Sequence, residues 1–292
     1  MNSALKARLN LILAMGIWGT LGLFVRYIPL PSGELALCRA VIAILLLGTY
    51  LLITHQAIPL RRIKREVPLL LLSGVAMGFN WILLFEAYKY TSVSVATLSY
   101  YFAPVIVTLV CPFLFHERLT PKQLVCFAMS TLGIILITGL SGAGKSGTDP
   151  IGIGFGLGAA VLYASVVLIN KFIKGVEGIH RTFLQFVAAT VVLIPYVLFT
   201  GGIHLTALNG IGWGSLLTVG LIHTGIAYCL YFPSLKELPG QKTAILSYID
   251  PLVAVLVSVF LLGEVLTLPQ ALGGLLILGF TLWNELTPKT KQ

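Results

Sequence analysis

Apolar residues occur along the chain in long, evenly spaced runs separated by short polar segments. At about 20 residues per membrane crossing, this pattern predicts ten helical spans. They cover residues 7 to 28, 33 to 54, 68 to 88, 93 to 115, 121 to 140, 151 to 172, 181 to 200, 211 to 232, 242 to 263 and 267 to 286. The connectors leave no room for a soluble domain, so the pattern predicts an all-α polytopic membrane protein.

The hydrophobic pattern contains a repeat with an offset of 147 residues. The first copy carries, in order, Tyr101, Pro104, Glu117, Leu119, Thr120 and Gln123, and the second carries Tyr248, Pro251, Glu264, Leu266, Thr267 and Gln270. Five spans per copy is an odd number, so the second copy enters the membrane from the opposite side. The sequence therefore predicts two inverted five-helix repeats, 1–140 and 151–292, joined by an outward-facing linker at 141–150. Such repeats are common in secondary transporters.

Composition and charge agree with a membrane chain. Hydrophobic residues make up 57% of the 292 and charged residues only 10%, against roughly 25% charged in soluble domains. The net charge of +9 does not indicate nucleic-acid binding, because the basic residues lie in short connectors. If the N-terminus is cytoplasmic, only four of the 19 Lys and Arg residues lie outside or near the outer helix ends: Arg26, Arg39, Lys89 and Lys145. The positive-inside rule then places both termini in the cytoplasm.

Local motifs predict how the repeats end and how they are joined. Thr120 to Gln123 and Thr267 to Gln270 have the spacing of capping boxes that begin helices, and Glu117 and Glu264 are interpreted as solvated turn carboxylates beside them. The end of the fifth span and the linker together satisfy the phosphate-loop pattern G-x-x-x-x-G-K-[ST] through Gly139, Gly144, Lys145 and Ser146. That loop requires a preceding strand, so a flexible linker is favoured over a nucleotide site.

Polar and aromatic residues lie near mid-depth on six of the predicted helices, although Tyr and Trp normally concentrate at membrane interfaces. Buried polar groups at this depth are costly against lipid and mark candidate sites. Each aromatic could instead fill a helix interface, and His223 could bond a neighbouring helix. The candidate substrate-binding residues are Trp18, Asn80, Trp81, Tyr100, Tyr101, Tyr163, His223, Thr224, Tyr228 and Tyr248.

Three further features place a pocket among these residues. Pro104 and Pro251 each remove a backbone donor, so helices four and nine should be kinked there and could act as hinges. Repeat-related positions pair Trp18 with Tyr163, Trp81 with Tyr228 and Tyr101 with Tyr248, which predicts an aromatic lining from both halves. Asp250 is the candidate for proton coupling, with His223 as its proton partner. Arg39, Glu34 and Glu86 are interpreted as snorkelling residues near the outer helix ends.

These residues resemble the drug/metabolite transporter superfamily, specifically its EamA-type ten-helix exporters. The similarity lies in Trp18-Gly19, in the link from Ala87 to Ala96, and in two repeat signatures. The first signature combines Pro104 with the segment 117–120, and the second combines Asp250-Pro251 with the segment 263–267. The resemblance covers nearly the whole chain and implies an exporter of small organic metabolites in a cell inner membrane.

The resemblance and the aromatic lining favour amino acids or related amphipathic solutes, exported by alternating access. The alternative within transport is a drug or quaternary-cation exporter, because Tyr and Trp also form cation-binding cages. An intramembrane enzyme is disfavoured, since the spans carry no H-E-x-x-H motif, paired catalytic carboxylates or serine with a basic partner. The expected partners are a small-molecule substrate, the lipid bilayer and protons. No metal, cofactor, nucleotide or nucleic acid is expected.

The charge asymmetry makes the topology testable. We expect a reporter fused after Gln292, or within 61–65, to be cytoplasmic, and one within 141–149 to be external, because basic connectors stay inside. The measurement is the activity in cells of a reporter that is active on only one side of the membrane. A cytoplasmic signal at Lys145 would exclude the inverted ten-helix arrangement.

Overall fold

The computed structural model describes residues 3–56, 58, 63–115, 120–139, 149–176, 178–238 and 246–285. These residues form helices and connecting turns, with no strand among them. The helices of the first half are α1 (Ser3–Gly19), α2 (Leu21–Val25), α3 (Ser32–Ile53), α4 (Val67–Tyr90), α5 (Val93–Tyr100), α6 (Ala103–Phe115) and α7 (Pro121–Gly139). Those of the second half are α8 (Asp149–Asn170), α9 (Gly178–Thr200), α10 (Gly210–Leu217), a π-helical segment (Thr218–Ile226), α11 (Ala227–Glu237), α12 (Ile249–Phe260) and α13 (Leu268–Glu285).

Seven helical segments of the described chain are long and apolar enough to cross a membrane. The apolar helices at the last two predicted spans, Ile249–Phe260 and Leu268–Trp283, are shorter, and α7 occupies the predicted fifth span. An all-helical polytopic membrane fold is therefore confirmed. The phosphate-loop residues Gly144, Lys145 and Ser146 lie outside the described residues, as does Glu117.

The packing follows the duplication. Helix α4 packs along α8, and the repeat-related helices α11 and α1 pack along each other in the same way. The contact of α1 with α12 corresponds in turn to the contact of α8 with α5 and α6. Three further pairs join a helix to its own repeat-related partner: α3 with α9, α5 with α12, and α7 with α13. Each half therefore buries its helices mainly against the other half.

Glycines permit the closest of these contacts. A Cβ on Gly19 would lie 2.6 Å from the Asp250 carbonyl oxygen, so α1 approaches the backbone of α12 directly. On α8, a Cβ at Gly152 would lie 2.6 Å from Thr91, and one at Gly156 would lie 2.9 Å from Ser99. Gly152 and Gly156 therefore permit close packing of α8 against neighbouring segments, whereas Gly154 faces open space.

Both predicted capping boxes are present. The Thr120 amide donates to Gln123 Oε1 at 2.8 Å and the Gln123 amide to Thr120 Oγ1 at 3.2 Å. The Thr267 amide donates to Gln270 Oε1 at 3.0 Å, and the Gln270 amide returns the bond at 3.4 Å. These reciprocal bonds satisfy backbone donors at the starts of α7 and α13.

Glu264 is not the solvated turn carboxylate that the sequence predicts. Its side chain is largely buried and pairs with Arg26, while Oε2 accepts from the Val93 amide at 2.8 Å and from the Ser258 hydroxyl. Arg26 also donates to the Thr91 carbonyl at 3.0 Å. The carboxylate therefore joins the end of α2 and the start of α5 to the turn after α12, three segments that are distant in sequence.

The helices around the centre of the bundle are interrupted. Helix four breaks at Tyr101–Phe102, just before Pro104, and helix nine has a turn at Tyr248, just before Pro251. The kinks predicted from the two prolines are therefore present, and their role as hinges stays a prediction. Helix one also breaks, at Thr20, and helix eight widens into the π-helical segment. Neither of these irregularities was predicted.

Candidate functional site

A cavity of about 270 Å³ lies at the centre of the bundle, where the interrupted helices meet. Both halves of the chain contribute to it. Its lining residues are Met15, Trp18, Gly19, Leu21, Arg39, Met77, Asn80, Trp81, Leu84, Tyr88, Thr97, Tyr100, Tyr101, Ala103, Pro104, Tyr163, Tyr228, Tyr231, Ser247, Asp250 and Ala254. The structure thus brings together most of the residues that the sequence placed at mid-depth.

Aromatic rings form one wall of the cavity through direct contacts. Trp18 packs against Tyr228 and Tyr231, each with ring centroids 5.1 Å apart. Phe186 continues this group between Tyr228, at 5.6 Å, and Trp81, at 5.2 Å. Three of these four contacts are edge-to-face, a geometry that favours defined ring orientations.

A second aromatic group lies on the broken helix four and on α8. Tyr100 contacts Tyr163 with centroids 5.4 Å apart and Tyr101 at 6.1 Å. Tyr101 donates its hydroxyl to Asp250 Oδ2 at 2.7 Å. This bond links helix four to the first turn of α12, on opposite sides of the pseudo-symmetric centre.

Asp250 lines the cavity at the start of α12, where the positive end of the helix dipole favours an anion. Its Oδ2 is bonded to Tyr101. The other carboxylate oxygen, Oδ1, has no hydrogen-bond partner among the described residues. Asp250 is thus positioned to exchange a proton or a ligand with the cavity.

The environment of Arg39 differs from the one predicted from the sequence. It is buried, with 4% of its surface exposed, and it lines the cavity instead of snorkelling to a helix end. Its Nε donates to Thr224 Oγ1 at 2.8 Å, and its guanidinium carbon lies 4.7 Å from the Trp81 ring centroid. Snorkelling requires a face towards lipid or headgroups, whereas Arg39 lies on the face of α3 that packs against the second half.

Glu34 is also buried, with 1% exposed, and does not snorkel. It accepts from the His204 amide at 2.7 Å and contacts His204 Nδ1 at 3.3 Å. Glu86 is half-buried and pairs with Lys89 at 3.0 Å. These two carboxylates are therefore engaged by other side chains, and neither of them lines the cavity.

His223 and Thr224 lie beside the cavity and are not part of its lining. His223 Nε2 contacts Thr20 Oγ1 at 2.9 Å and Nδ1 contacts the Thr218 carbonyl at 3.2 Å. Asp250 bonds Tyr101 instead, so His223 and Asp250 do not form the proton pair that the sequence suggested. Both imidazole nitrogens contact protein atoms, one in helix one and one in helix eight, so His223 joins neighbouring helices. Thr224 positions Arg39.

The remaining predicted residues divide between lining and support. Asn80 lines the cavity and donates its amide to the Ala159 carbonyl at 2.6 Å, tying α4 to α8. Pro104 lines the cavity beside the break in helix four. Tyr248 is half-buried at the turn before α12, and neither it nor the buried Pro251 contributes to the lining.

Several lining residues were not predicted, among them Arg39, Tyr88, Thr97, Tyr231 and Ser247. Tyr231 shares a helical stripe with Thr224 and Tyr228, and that spacing could have identified it. Arg39 could have been found from the cost of a charge about two turns inside a hydrophobic run. Thr97 and Ser247 are small polar residues of a kind that occurs throughout membrane helices, so the sequence offered no signal for them.

The chain is similar to known transporters along most of its length. The model of the EamA-like transporter family matches residues 5–139 and, separately, residues 150–284. The "Uncharacterized transporter YxxF" of Bacillus subtilis (strain 168) is 34% identical over 273 residues, covering 93% of this chain and 86% of that protein. The "Threonine/homoserine exporter RhtA" of Escherichia coli (strain K12) is 26% identical over 249 residues, covering 85% and 81% of the two chains. A solved crystal structure aligns with a TM-score of 0.65 at 20% identity, over 94% of this chain and 95% of the other, which supports the fold.

The aromatic wall predicts a binding defect. We expect Trp18→Ala to raise the substrate concentration for half-maximal exchange in proteoliposomes several-fold, because losing one aromatic contact surface costs about 1 kcal/mol or more. Trp213→Ala removes a tryptophan that is 41% exposed and is not part of the lining, so it serves as the matched control. A monodisperse Trp18→Ala protein with unchanged affinity would place the substrate elsewhere.

Proposed function

We propose, because the chain belongs to the EamA-like transporter family, that it is a secondary transporter that exports amino acids or related amphipathic solutes by alternating access. The family and its named relatives are transporters, which confirms that the chain is a multi-pass membrane transporter and not an enzyme. The substrate class, the direction of transport, the inner-membrane location and the cytoplasmic termini belong to the proposal.

The single observation that carries the proposal is the central cavity. It lies between two repeat-related halves, at the depth where several helices are broken, which is where secondary transporters bind their substrates. Its volume of about 270 Å³ suits a small solute. The relative named as a threonine/homoserine exporter supports amino acids as the first class to test.

The charges in the cavity favour amino acids over quaternary cations. An aromatic cage for a permanent cation gains from negative ring faces, and Trp18, Tyr228 and Tyr231 supply such faces. Arg39, however, places a positive charge in the same cavity and already lies over the Trp81 ring. A solute with a fixed positive charge and no anionic group would be repelled by Arg39, whereas the two charges of an amino acid can be matched by Arg39 and Asp250.

We further propose that Asp250 couples transport to protons. Its carboxylate faces the cavity and holds one bond to Tyr101. When the cavity is dry the neutral acid is favoured, and when water enters the anion is favoured. Alternation between these states would link protonation to conformation without His223, which bonds Thr20 and the Thr218 carbonyl instead.

One reconstitution experiment tests both parts. We expect the wild-type protein in proteoliposomes to support counterflow of amino acids in preference to quaternary ammonium compounds, and to accumulate amino acids when a pH gradient is imposed. Asp250→Asn keeps the shape and removes the titration, so gradient-driven accumulation should fall to background while exchange stays measurable.

Glu237→Gln changes an exposed carboxylate at the end of α11 and should behave like the wild type. Counterflow of quaternary cations alone would contradict the assignment to amino acids. Undiminished gradient-driven uptake by Asp250→Asn would leave Asp250 a structural acid.

A further inference from the structure

Arg39 is a buried cation that has no counter-ion among the residues that the structure describes. Only 4% of its surface is exposed, and no described carboxylate lies within ion-pair distance of it. The described ion pairs join Arg26 to Glu264, Lys89 to Glu86 and His204 to Glu34. A guanidinium stays charged in proteins, so its burial is costly unless a partner compensates it.

Within the described part of the chain, most of the hydrogen-bonding capacity of Arg39 is unused. Guanidinium carries five N–H donors, and among the described residues it makes one hydrogen bond, from Nε to Thr224 Oγ1. The Trp81 ring lies on one side, 4.7 Å from the guanidinium carbon, and the Phe85 ring centroid lies 5.8 Å away. Because Arg39 lines the cavity, the two Nη groups are the donors left for whatever occupies it.

We propose that Arg39 binds the carboxylate of the transported solute and so determines that the substrate is a carboxylic acid; this rests on the export function proposed above. The Nε bond to Thr224 and the contact with Trp81 fix the plane of the guanidinium. A planar fork held in this way matches the two oxygens of a carboxylate and gives a charge-assisted, bidentate contact. The ligand then supplies the counter-ion that the described helices do not provide.

The other charge in the cavity selects among anions. Asp250 also lines it, so the two side chains supply one positive and one negative charge. A phosphate dianion would compensate Arg39 and leave an excess negative charge near Asp250, whereas a monocarboxylate compensates it without excess. Repulsion between like charges in a water-poor site therefore favours a carboxylate over a phosphate.

The test compares three ligands that share a benzyl group and an amine and differ at the carboxylate, together with one phosphate. The probes are phenylalanine, phenylalanine amide and phenylethylamine, with phenyl phosphate as the phosphate arm. Binding is measured by quenching of tryptophan fluorescence in detergent, and counterflow is measured in proteoliposomes. We expect the wild-type protein to bind the amino acid about tenfold or more tightly than the amide, since hydrogen bonds to charged groups are strong.

In Arg39→Gln the preference for the acid over the amide should disappear while amide binding stays near the wild-type level. Arg39→Lys keeps the charge and loses the fork, so it should keep only part of the preference. Arg65→Gln removes an exposed arginine before α4 and should leave the preference unchanged. A purely structural Arg39 would instead weaken acid and amide equally when replaced.

The outcomes separate the two proposals. Tight, Arg39-dependent binding of the acid without counterflow would uphold the carboxylate site and contradict the exporter. If wild-type counterflow does not distinguish the acid from the amide, or favours phenyl phosphate, the proposed role of Arg39 is wrong. The exporter function is then still supported. The wild-type comparison holds even if an Arg39 variant fails to fold.

Discussion

The buried guanidinium of Arg39 is the constraint around which the centre of the molecule is arranged. Moving an isolated charge into an apolar bundle costs several kcal/mol even after relaxation. Three features reduce that cost: the hydroxyl of Thr224, the faces of Trp81 and Phe85, and a cavity that admits water or solute. Thr224 itself lies in the π-helical segment, a departure from α-helical geometry that is often found at functional sites.

The helix irregularities meet around this charge. Breaks at Thr20, at Tyr101 and at Tyr248, together with the π-helical segment, release backbone groups from regular hydrogen bonding. Some of these groups find side-chain partners: Trp18 Nε1 donates to the His223 carbonyl at 2.6 Å. In a membrane, irregular backbone is tolerated where it lines a cavity or is buried in protein. The broken helices therefore line the cavity together with the continuous helices α4 and α8.

The sequence predicted the architecture well because it depends on local signals. Hydrophobic runs and the reciprocal bonds of Thr120 with Gln123 act over a few turns of helix, and the repeat is visible because the same local pattern occurs twice. The aromatic lining was also predictable, since Trp18, Tyr101 and Tyr228 occupy an unusual depth. The proline breaks followed from the missing backbone donors of Pro104 and Pro251.

What the sequence did not predict depends on partners distant in the chain. The surroundings of Arg39 come from Trp81 and Thr224, and the burial of Glu264 comes from Arg26 and Val93. Hydropathy predicts how deep a residue lies along one helix, but it does not show which neighbouring helix the side chain faces. The pairing of His223 with Thr20 instead of Asp250 has the same origin, because a break in one helix and a π turn in another determine it jointly.

The most direct measurement is a structure of the protein in nanodiscs with a bound amino acid whose side chain carries a heavy atom, such as iodophenylalanine. Ligand density should lie in the central cavity against Trp18 and Tyr228, with the carboxylate at hydrogen-bonding distance from the Nη groups of Arg39. Ordered density at another site, or an amino acid in the cavity with its carboxylate turned away from Arg39, would contradict the claim that this cavity and this charge recognise the substrate.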